Sequence, residues 1–319
     1  MLVVATARSF RKYAGNSPAI LKEAGLDFLD LSDEGFDASS TEDRLAEALR
    51  DADAAIVGNE PITAGLLSRL PKLKAVTRRG IGYDSVDTEA CRKRGIAAMR
   101  TTGAVEGAVA EHVFAYMLYF ARRVDLQNLF MQNGKWTRLP MPGLDRKTLG
   151  LVGFGGIGKE IARRAKPFGM EILYFCRHPK AEWEAEYGAK YVPFDELLER
   201  SDYLSVNVPL TPGTRGMFGP EQFSRMKDGA VFINIARGPV ADARALRSAL
   251  DSGKLGGAGV DVFDHEPCED SPLMGSSRAV LTPHTAVFTE TNSFIVNERA
   301  AKNIAEWSKG TLDPKYRIV

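Results

Sequence analysis

A glycine-rich turn near the middle of the chain constrains the fold more than any other feature. It runs Gly153-Phe154-Gly155-Gly156-Ile157-Gly158, between the apolar run TLGLV and a helical pattern that continues to the segment KPFG. In such a turn the first glycine permits a tight bend, the second lets the backbone approach a pyrophosphate, and the third allows close helix packing. The helix start then offers free N–H groups to phosphate. This context predicts a β-α-β unit that binds a dinucleotide; the alternative is a glycine-rich turn that binds nothing.

Short runs rich in Val, Ile and Leu alternate with amphipathic segments along the chain. The predicted strands of the first half are LVVATA (2–7), DFLDLS (27–32), AAIVG (54–58), LKAVTR (73–78) and IAAMRT (96–101). A second series follows the Pro- and Gly-rich segment 139–147: TLGLVGF, EILYFC, AKYVPF, YLSVNVP, AVFINIA, GAGVDVF and AVLTPH. This rhythm predicts two doubly wound α/β units with parallel sheets. A length of 319 residues suits two domains.

The bulk properties favour a small-molecule function. A formal net charge of +1 provides no basic field that would attract nucleic acid or a membrane surface. The N-terminus lacks the pattern of a signal peptide, and no apolar run is long enough to cross a bilayer. The three cysteines are scattered, as expected for free thiols in a reducing compartment. We therefore expect a soluble cytoplasmic protein.

The strand after the glycine turn ends in Cys176-Arg177-His178, with no carboxylate. A unit that binds NAD usually places an Asp or Glu there to hydrogen-bond the adenine ribose. An uncharged tip with Arg177, and with His178 beside it, instead suits the extra phosphate of NADP, because guanidinium offers bidentate charged hydrogen bonds. We therefore predict NADP(H) in preference to NAD(H). The alternative is that Arg177 is a solvated surface residue and that NAD binds less tightly.

Three candidate catalytic residues follow successive predicted strands near the C-terminus. Hydride transfer from a dinucleotide to a carbonyl needs, besides the cofactor, a cation that polarises the acceptor, a proton donor, and a group that holds the donor. Arg237 follows AVFINIA, Glu266 follows GAGVDVF, and His284 ends AVLTPH. These positions lie at the carboxyl ends of strands, where open α/β sheets bind ligands. A carboxylate such as Glu266 favours a protonated histidine.

The chain has four histidines, so the candidates for a proton donor can be compared. His112 lies in an apolar helix and is predicted to be structural, His178 lies at the cofactor tip, and His265 is predicted to be exposed. His284 is the best candidate, with a structural histidine at a strand end as the alternative. No HExxH motif and no paired Cys/His spacing occurs, so no metal is predicted.

The motifs GFGGIG, NIARGPV, GVDVFDHEP and LTPH, in that order, together with TRRGIGYDSVD (77–87), resemble the D-isomer-specific 2-hydroxyacid dehydrogenases. The resemblance covers nearly the whole chain. It implies that Arg237 orients the substrate and that His284 protonates the carbonyl oxygen during reduction. It also implies that Glu266 hydrogen-bonds His284 and favours its protonated form.

The resemblance implies further binding residues. Backbone N–H groups of Ile81 and Gly82 would bind the substrate carboxylate, and Arg78 and Arg79 leave a phosphorylated substrate open. The glycine turn, including Gly156 and Ile157, and the tip with Arg177 and His178 would bind the cofactor. Four further cofactor residues are implied: Pro209, Thr214, Ala236 and Asp261. Asp261 would lie near the nicotinamide amide.

The resemblance also implies an architecture. A flavodoxin-like substrate domain would comprise residues 1–98 and 288–319, and a Rossmann cofactor domain, residues 99–287, would be inserted into it. Members are usually homodimers that associate through the cofactor domain. Such an interface would account for the segment 104–124, which is apolar on nearly every face.

The tip without an acidic residue is similar to the tip of glyoxylate and hydroxypyruvate reductases that use NADP. We therefore expect activity on glyoxylate or hydroxypyruvate. The segments TARSF and VGNEPIT are instead similar to phosphoglycerate-dehydrogenase-like sequences, which are the alternative. Formate dehydrogenases, which need no proton donor, carry Gln where this chain has Glu266, so a formate dehydrogenase is not expected. A third possibility is a non-catalytic dinucleotide sensor similar to co-repressors on this scaffold, although those usually carry extra tails for partner docking.

Overall fold

The structure is a computed structural model that describes residues 1–319, and the chain divides into two compact units. The first unit comprises Met1–Val105 and Phe288–Val319, and the second comprises Glu106–Val287. The sequence prediction placed the first boundary at 98/99 and the second at 287/288. No helix is both long and apolar enough to span a membrane.

The elements alternate between strand and helix in each unit. The first unit contains β1 (Leu2–Ala5), α1 (Ser17–Glu23), β2 (Asp27–Asp30), α2 (Glu42–Leu49), β3 (Ala54–Val57), α3 (Ala64–Ser68), β4 (Ala75–Arg78), α4 (Thr88–Arg94) and β5 (Ala97–Arg100). The second contains α5 (Glu106–Arg122), α6 (Val124–Gln132), β6 (Thr148–Val152), α7 (Gly156–Ala165), β7 (Glu171–Phe175), α8 (Ala181–Tyr187), β8 (Ala189–Tyr191), α9 (Phe194–Arg200), β9 (Tyr203–Val206), α10 (Pro220–Arg225), β10 (Ala230–Asn234), α11 (Ala243–Asp251), β11 (Leu255–Val260) and β12 (Ala279–Leu281). Helix α12 (Glu290–Ser308) returns to the first unit.

The first unit is a five-stranded parallel sheet with the order β2-β1-β3-β4-β5. This is the flavodoxin-like order, whose direction reverses between β1 and β3. Neighbouring residues of β1 point to opposite faces, so Val3 packs with α12 and Val4 packs with α2. Because both faces are covered, the strands are nearly continuous apolar runs.

The second unit is a seven-stranded parallel sheet with the order β12-β11-β10-β9-β6-β7-β8. This is the doubly wound Rossmann order, and its direction reverses between β6 and β9. All twelve predicted strands are present, and the predicted fold class is confirmed. A ligand site is expected outside the carboxyl ends of these strands, near the reversal.

Helix α5 packs directly on the second sheet because β11 is rich in glycine. A Cβ atom on Gly259 would lie 2.5 Å from Cγ of Tyr116, and one on Gly257 would overlap the ring of Phe120. The opposite side of α5 is not buried within the unit, since Leu118 is 38% exposed. The apolar segment 104–124 therefore has one side in the core of the unit and another at its surface.

Candidate active site

The glycine turn follows β6, at the point where the strand order reverses. Gly153 has a φ of +94°, and a Cβ atom there would lie 2.9 Å from the carbonyl oxygen of Asn207. A Cβ atom on Gly158 would lie 2.5 Å from the Gly153 carbonyl oxygen, so α7 packs closely on the turn. No other atom lies within 4 Å of the Cβ position of Gly155. Two glycines are thus required by packing, and the third leaves open space for a ligand.

The turn leads directly into α7, a helix of ten residues that begins at Gly156. A Cβ atom on Gly156 would contact the side chain of Glu106, and Ile157 packs on the apolar core of the unit. The N–H groups at the start of a helix favour anions. The geometry therefore suits a pyrophosphate beside Gly155.

The tip after β7 carries cations and no acid. Arg177, His178 and Lys180 are exposed, and Cys176 is half-buried. The loop after β9 is closed by Thr214, whose hydroxyl donates to the Pro209 carbonyl oxygen at 2.6 Å. Predicted cofactor residues therefore lie at the carboxyl ends of β6, β7 and β9, which are neighbouring strands.

His284 and Glu266 form a directly bonded pair. The Nδ1 atom of His284 lies 2.6 Å from one carboxylate oxygen of Glu266, and the other oxygen accepts the Phe263 N–H at 3.0 Å. Both side chains are about one-quarter exposed. The bond at Nδ1 fixes the ring and leaves Nε2 for proton transfer.

The environment keeps Glu266 ionised. Burial by itself would raise the pKa of this carboxyl, but the hydrogen bond and charge of His284 lower it, with help from the Phe263 N–H and from Arg237. The net direction is a pKa below the ordinary value for a glutamate. A carboxylate in this state favours a protonated imidazole beside it.

Arg237 lies directly after β10, half-buried, and one guanidinium nitrogen donates to the Ala236 carbonyl oxygen at 2.7 Å. The side chain of Asn234 holds this bend, because its amide donates to the Arg237 carbonyl oxygen at 3.0 Å and accepts the Ala236 N–H at 3.0 Å. A Cβ atom on Gly238 would overlap the Phe263 carbonyl group. The segment that carries Arg237 therefore packs tightly on the strand end that leads to Glu266.

Asp261 organises the turn that carries His284. Its carboxylate accepts the N–H groups of Thr285 at 2.8 Å and Ala286 at 2.9 Å, together with the hydroxyl of Thr282. Its own carbonyl oxygen accepts the His284 N–H at 2.8 Å. These bonds hold His284 at a φ of +53°, which is uncommon for a residue other than glycine.

Two residues of α5 extend this network. The Tyr116 hydroxyl lies 2.5 Å from the Thr282 hydroxyl, and Nε2 of His112 lies 3.1 Å from the same oxygen. Sequence reasoning assigned no role to Tyr116, Thr282 or Asn234. The only available signal was that Asn234 and Thr282 are polar residues at the ends of predicted strands.

The predicted substrate residues of the first unit follow β4. The guanidinium of Arg78 bonds the Asn59 side chain and the Arg79 carbonyl oxygen. The Nε atom of Arg79 donates to Asn297 at 2.5 Å, and burial lowers the pKa of Arg79 to about 10. Both arginines are therefore buried and engaged within the unit. The N–H groups of Ile81 and Gly82 take no part in the hydrogen bonds of the unit.

Comparison with known proteins decides the family. Residues 114–286, just over half of the chain, match the model of the D-isomer specific 2-hydroxyacid dehydrogenase, NAD binding domain. The glyoxylate reductase of Thermococcus litoralis is 40% identical over 280 residues, which cover 85% of each chain. This chain belongs to the D-isomer-specific 2-hydroxyacid dehydrogenases. It is an oxidoreductase that acts on 2-hydroxy acids, so the predicted enzyme class is confirmed.

A second curated relative and a solved structure are also similar to this chain. The glyoxylate/hydroxypyruvate reductase B of Salmonella paratyphi A is 39% identical over 277 residues, covering 85% of this chain and 86% of its own. A solved structure of an acyclic imino acid reductase, in complex with NADPH and D-Arg, has a TM-score of 0.89 at 25% identity, with full coverage of both chains.

Proposed function

We propose that this dehydrogenase reduces glyoxylate or hydroxypyruvate with NADPH. The observation that carries the proposal is the hydrogen-bonded pair of His284 and Glu266. Like Arg237, both residues come after the carboxyl ends of neighbouring strands in the second sheet. The similar reductases of Thermococcus litoralis and Salmonella paratyphi A support the choice of substrates.

The cofactor would be held by the second unit. The open space at Gly155 and the start of α7 fit a pyrophosphate, and the tip of β7 would hold the adenine ribose. Ala236 and Asp261, at the ends of β10 and β11, are proposed to lie beside the nicotinamide. When bound, the reduced nicotinamide supplies the hydride for C2 of the substrate.

The residues of the chain supply the remaining chemistry. Arg237 would bind the substrate carboxylate and polarise its carbonyl, because a guanidinium donates two parallel hydrogen bonds. The Nε2 atom of His284 would donate a proton to the carbonyl oxygen while Glu266 stabilises the imidazolium. In the first unit, the N–H groups of Ile81 and Gly82, which make no hydrogen bond within that unit, are proposed as further substrate ligands.

We expect a substrate without a phosphate group. A phosphorylated substrate would need a free cation, but Arg78 and Arg79 are buried and their guanidinium groups already bond Asn59 and Asn297. Initial rates with NADPH should therefore give a higher kcat/KM for glyoxylate or hydroxypyruvate than for 3-phosphohydroxypyruvate. A preference for the phosphorylated compound would instead favour the phosphoglycerate-type alternative.

Replacing Arg177 with alanine should raise the KM for NADPH by about 10- to 100-fold, because a hydrogen bond to a charged group contributes about 1.5–3 kcal/mol. The KM for NADH should change far less, since NADH lacks the 2′-phosphate. Steady-state kinetics with both cofactors measure this difference. R200A is the matched control, because Arg200 bonds Glu171 and Glu196 on the surface. Equal effects of R177A on both cofactors would remove Arg177 from phosphate recognition.

Replacing Glu266 with glutamine should move the pH profile of kcat for reduction toward lower pH. The variant loses the negative charge that favours protonated His284, so the active form persists only at a higher proton concentration. Rates measured across the pH range test this, and E269Q provides an exposed control in the same loop. An unchanged E266Q profile would mean that another group sets the pH dependence.

We also propose that the protein forms a homodimer through the second unit. Helix α6 buries none of its residues within the unit, and Val124, Leu129 and Met131 are each more than half exposed. Trp136, just beyond α6, is 79% exposed. Several large exposed apolar residues on one segment are typical of an interface.

A further inference from the structure

The loop after β11 holds three metal-ligating side chains that the reaction does not use. They are His265, Cys268 and Asp270, and their ligand atoms all lie within 4.8 Å of one another. The imidazole Nε2 of His265 is 2.9 Å from a carboxylate oxygen of Asp270. We propose that these three residues bind a divalent cation of the zinc class and that its binding inhibits the enzyme.

The chemistry of the donors selects the cation. A thiolate, an imidazole and a carboxylate suit Zn²⁺ or Co²⁺, whereas Mg²⁺ and Ca²⁺ prefer oxygen ligands alone. Tetrahedral Zn²⁺ needs ligand atoms about 3.3–3.8 Å apart, given its usual bond lengths. His265 and Asp270 are exposed, so their side chains have room to move into this geometry.

The cluster lies on the wall of a cavity of about 570 Å³ in the second unit. A metal with three protein ligands would therefore have space for water at its fourth position. Two arginines on the wall, Arg215 and Arg244, oppose cation binding, but Asp242, Asp264 and Asp270 line the same cavity. The three carboxylates offset the two guanidinium charges.

The position of the cluster in the loop links it to the catalytic pair. Glu266 is the residue after His265 and lies two residues before Cys268. Closing His265, Cys268 and Asp270 around one ion would also pull on the segment that carries Glu266, because the three ligands lie on both sides of it in the chain. Its carboxylate bonds Nδ1 of His284 at 2.6 Å, so a shift of more than about 0.6 Å would take this contact beyond the ordinary range of an N–H···O hydrogen bond. Inhibition rests on the proposed function of this pair, whereas metal binding does not.

Binding is tested by titrating the metal-free protein with Co²⁺ and following the thiolate-to-Co²⁺ charge-transfer absorption. We expect one Co²⁺ per chain, displaced by Zn²⁺, with the band lost in C268S and retained in C176S. Cys176 is the matched control because it is another half-buried free cysteine of the same unit. D270N should weaken binding at least tenfold. A band that persists in C268S, or no band in the wild-type protein, would overturn the site.

Inhibition is tested by adding Zn²⁺ to turnover assays of the same proteins and of E269Q. Wild type and E269Q, an exposed control in the same loop, should lose activity and regain it with a chelator, while C268S should need at least tenfold more Zn²⁺. Equal sensitivity of C268S, or Co²⁺ binding without inhibition, would overturn the coupling. If the wild-type protein reduces no 2-oxo acid, the proposed function fails, but the Co²⁺ titration still decides the metal site. Thermal unfolding of C268S shows whether that variant is folded.

Discussion

The H284A variant is expected to lose about 10²- to 10⁴-fold in kcat for reduction, because positioned general acids contribute rate factors of this size. The pair of His284 and Glu266 is preorganised, with Nδ1 bonded and Nε2 left for the substrate. Alanine removes the proton donor but none of the residues that hold the cofactor. Steady-state kinetics with NADPH measure the loss.

The same variant should bind NADPH almost as tightly as the wild-type protein does, which a fluorescence titration can measure. Thermal unfolding should show that H284A is folded. Removing this partly exposed side chain leaves the hydrogen bonds from Asp261 to Thr285 and Ala286 in place. If H284A kept most of its activity, His284 would have no part in proton transfer.

The R237A variant should lose about 10²- to 10³-fold in kcat/KM, the usual effect of removing one group that stabilises developing charge. Arg237 is positioned by the two hydrogen bonds that the Asn234 side chain makes to the backbone of Ala236 and Arg237. The close packing of Gly238 on Phe263 also holds it. R237K should recover only part of the loss, because lysine keeps the charge but lacks the planar fork. Kinetics with glyoxylate measure both variants.

The surface variant R200A is the control for R237A and should retain normal activity. Arg200 lies on α9, and exposed ion pairs of this type contribute little. If R237A weakened only the binding of NADPH and left kcat unchanged, Arg237 would be a cofactor ligand rather than a substrate ligand.

The strands could be predicted from sequence because buried parallel strands are short, continuous apolar runs between turn residues. LVVATA and TLGLVGF are examples, and they contain β1 and β6. The orientation of α5 could not be predicted, because the side of the helix that faces the sheet is set by the glycines of β11. Gly257 and Gly259 place Phe120 and Tyr116 on the sheet, and nothing in the helix sequence indicates this contact.

The bond between His284 and Glu266 was implied by the family resemblance, and the strand pattern alone indicated only that both residues follow neighbouring strands. The network around them could not be predicted, since the Tyr116 and Thr282 hydroxyls meet across 166 residues of sequence. The cluster of His265, Cys268 and Asp270 also escaped prediction, because its spacing matches no common metal motif. The conformation of one loop brings these side chains together.

The reaction that we propose is hydride transfer from a nicotinamide to C2 of a small 2-oxo acid. The most direct test incubates the protein with glyoxylate and NADPH deuterated at C4, using each of the two C4 epimers in turn. We predict that one epimer gives glycolate with one deuterium at C2 for each NADPH oxidised, and that the other gives unlabelled glycolate. If NADPH were oxidised without deuterium in glycolate from either epimer, or were not oxidised with any 2-oxo acid, hydride transfer to C2 would be contradicted.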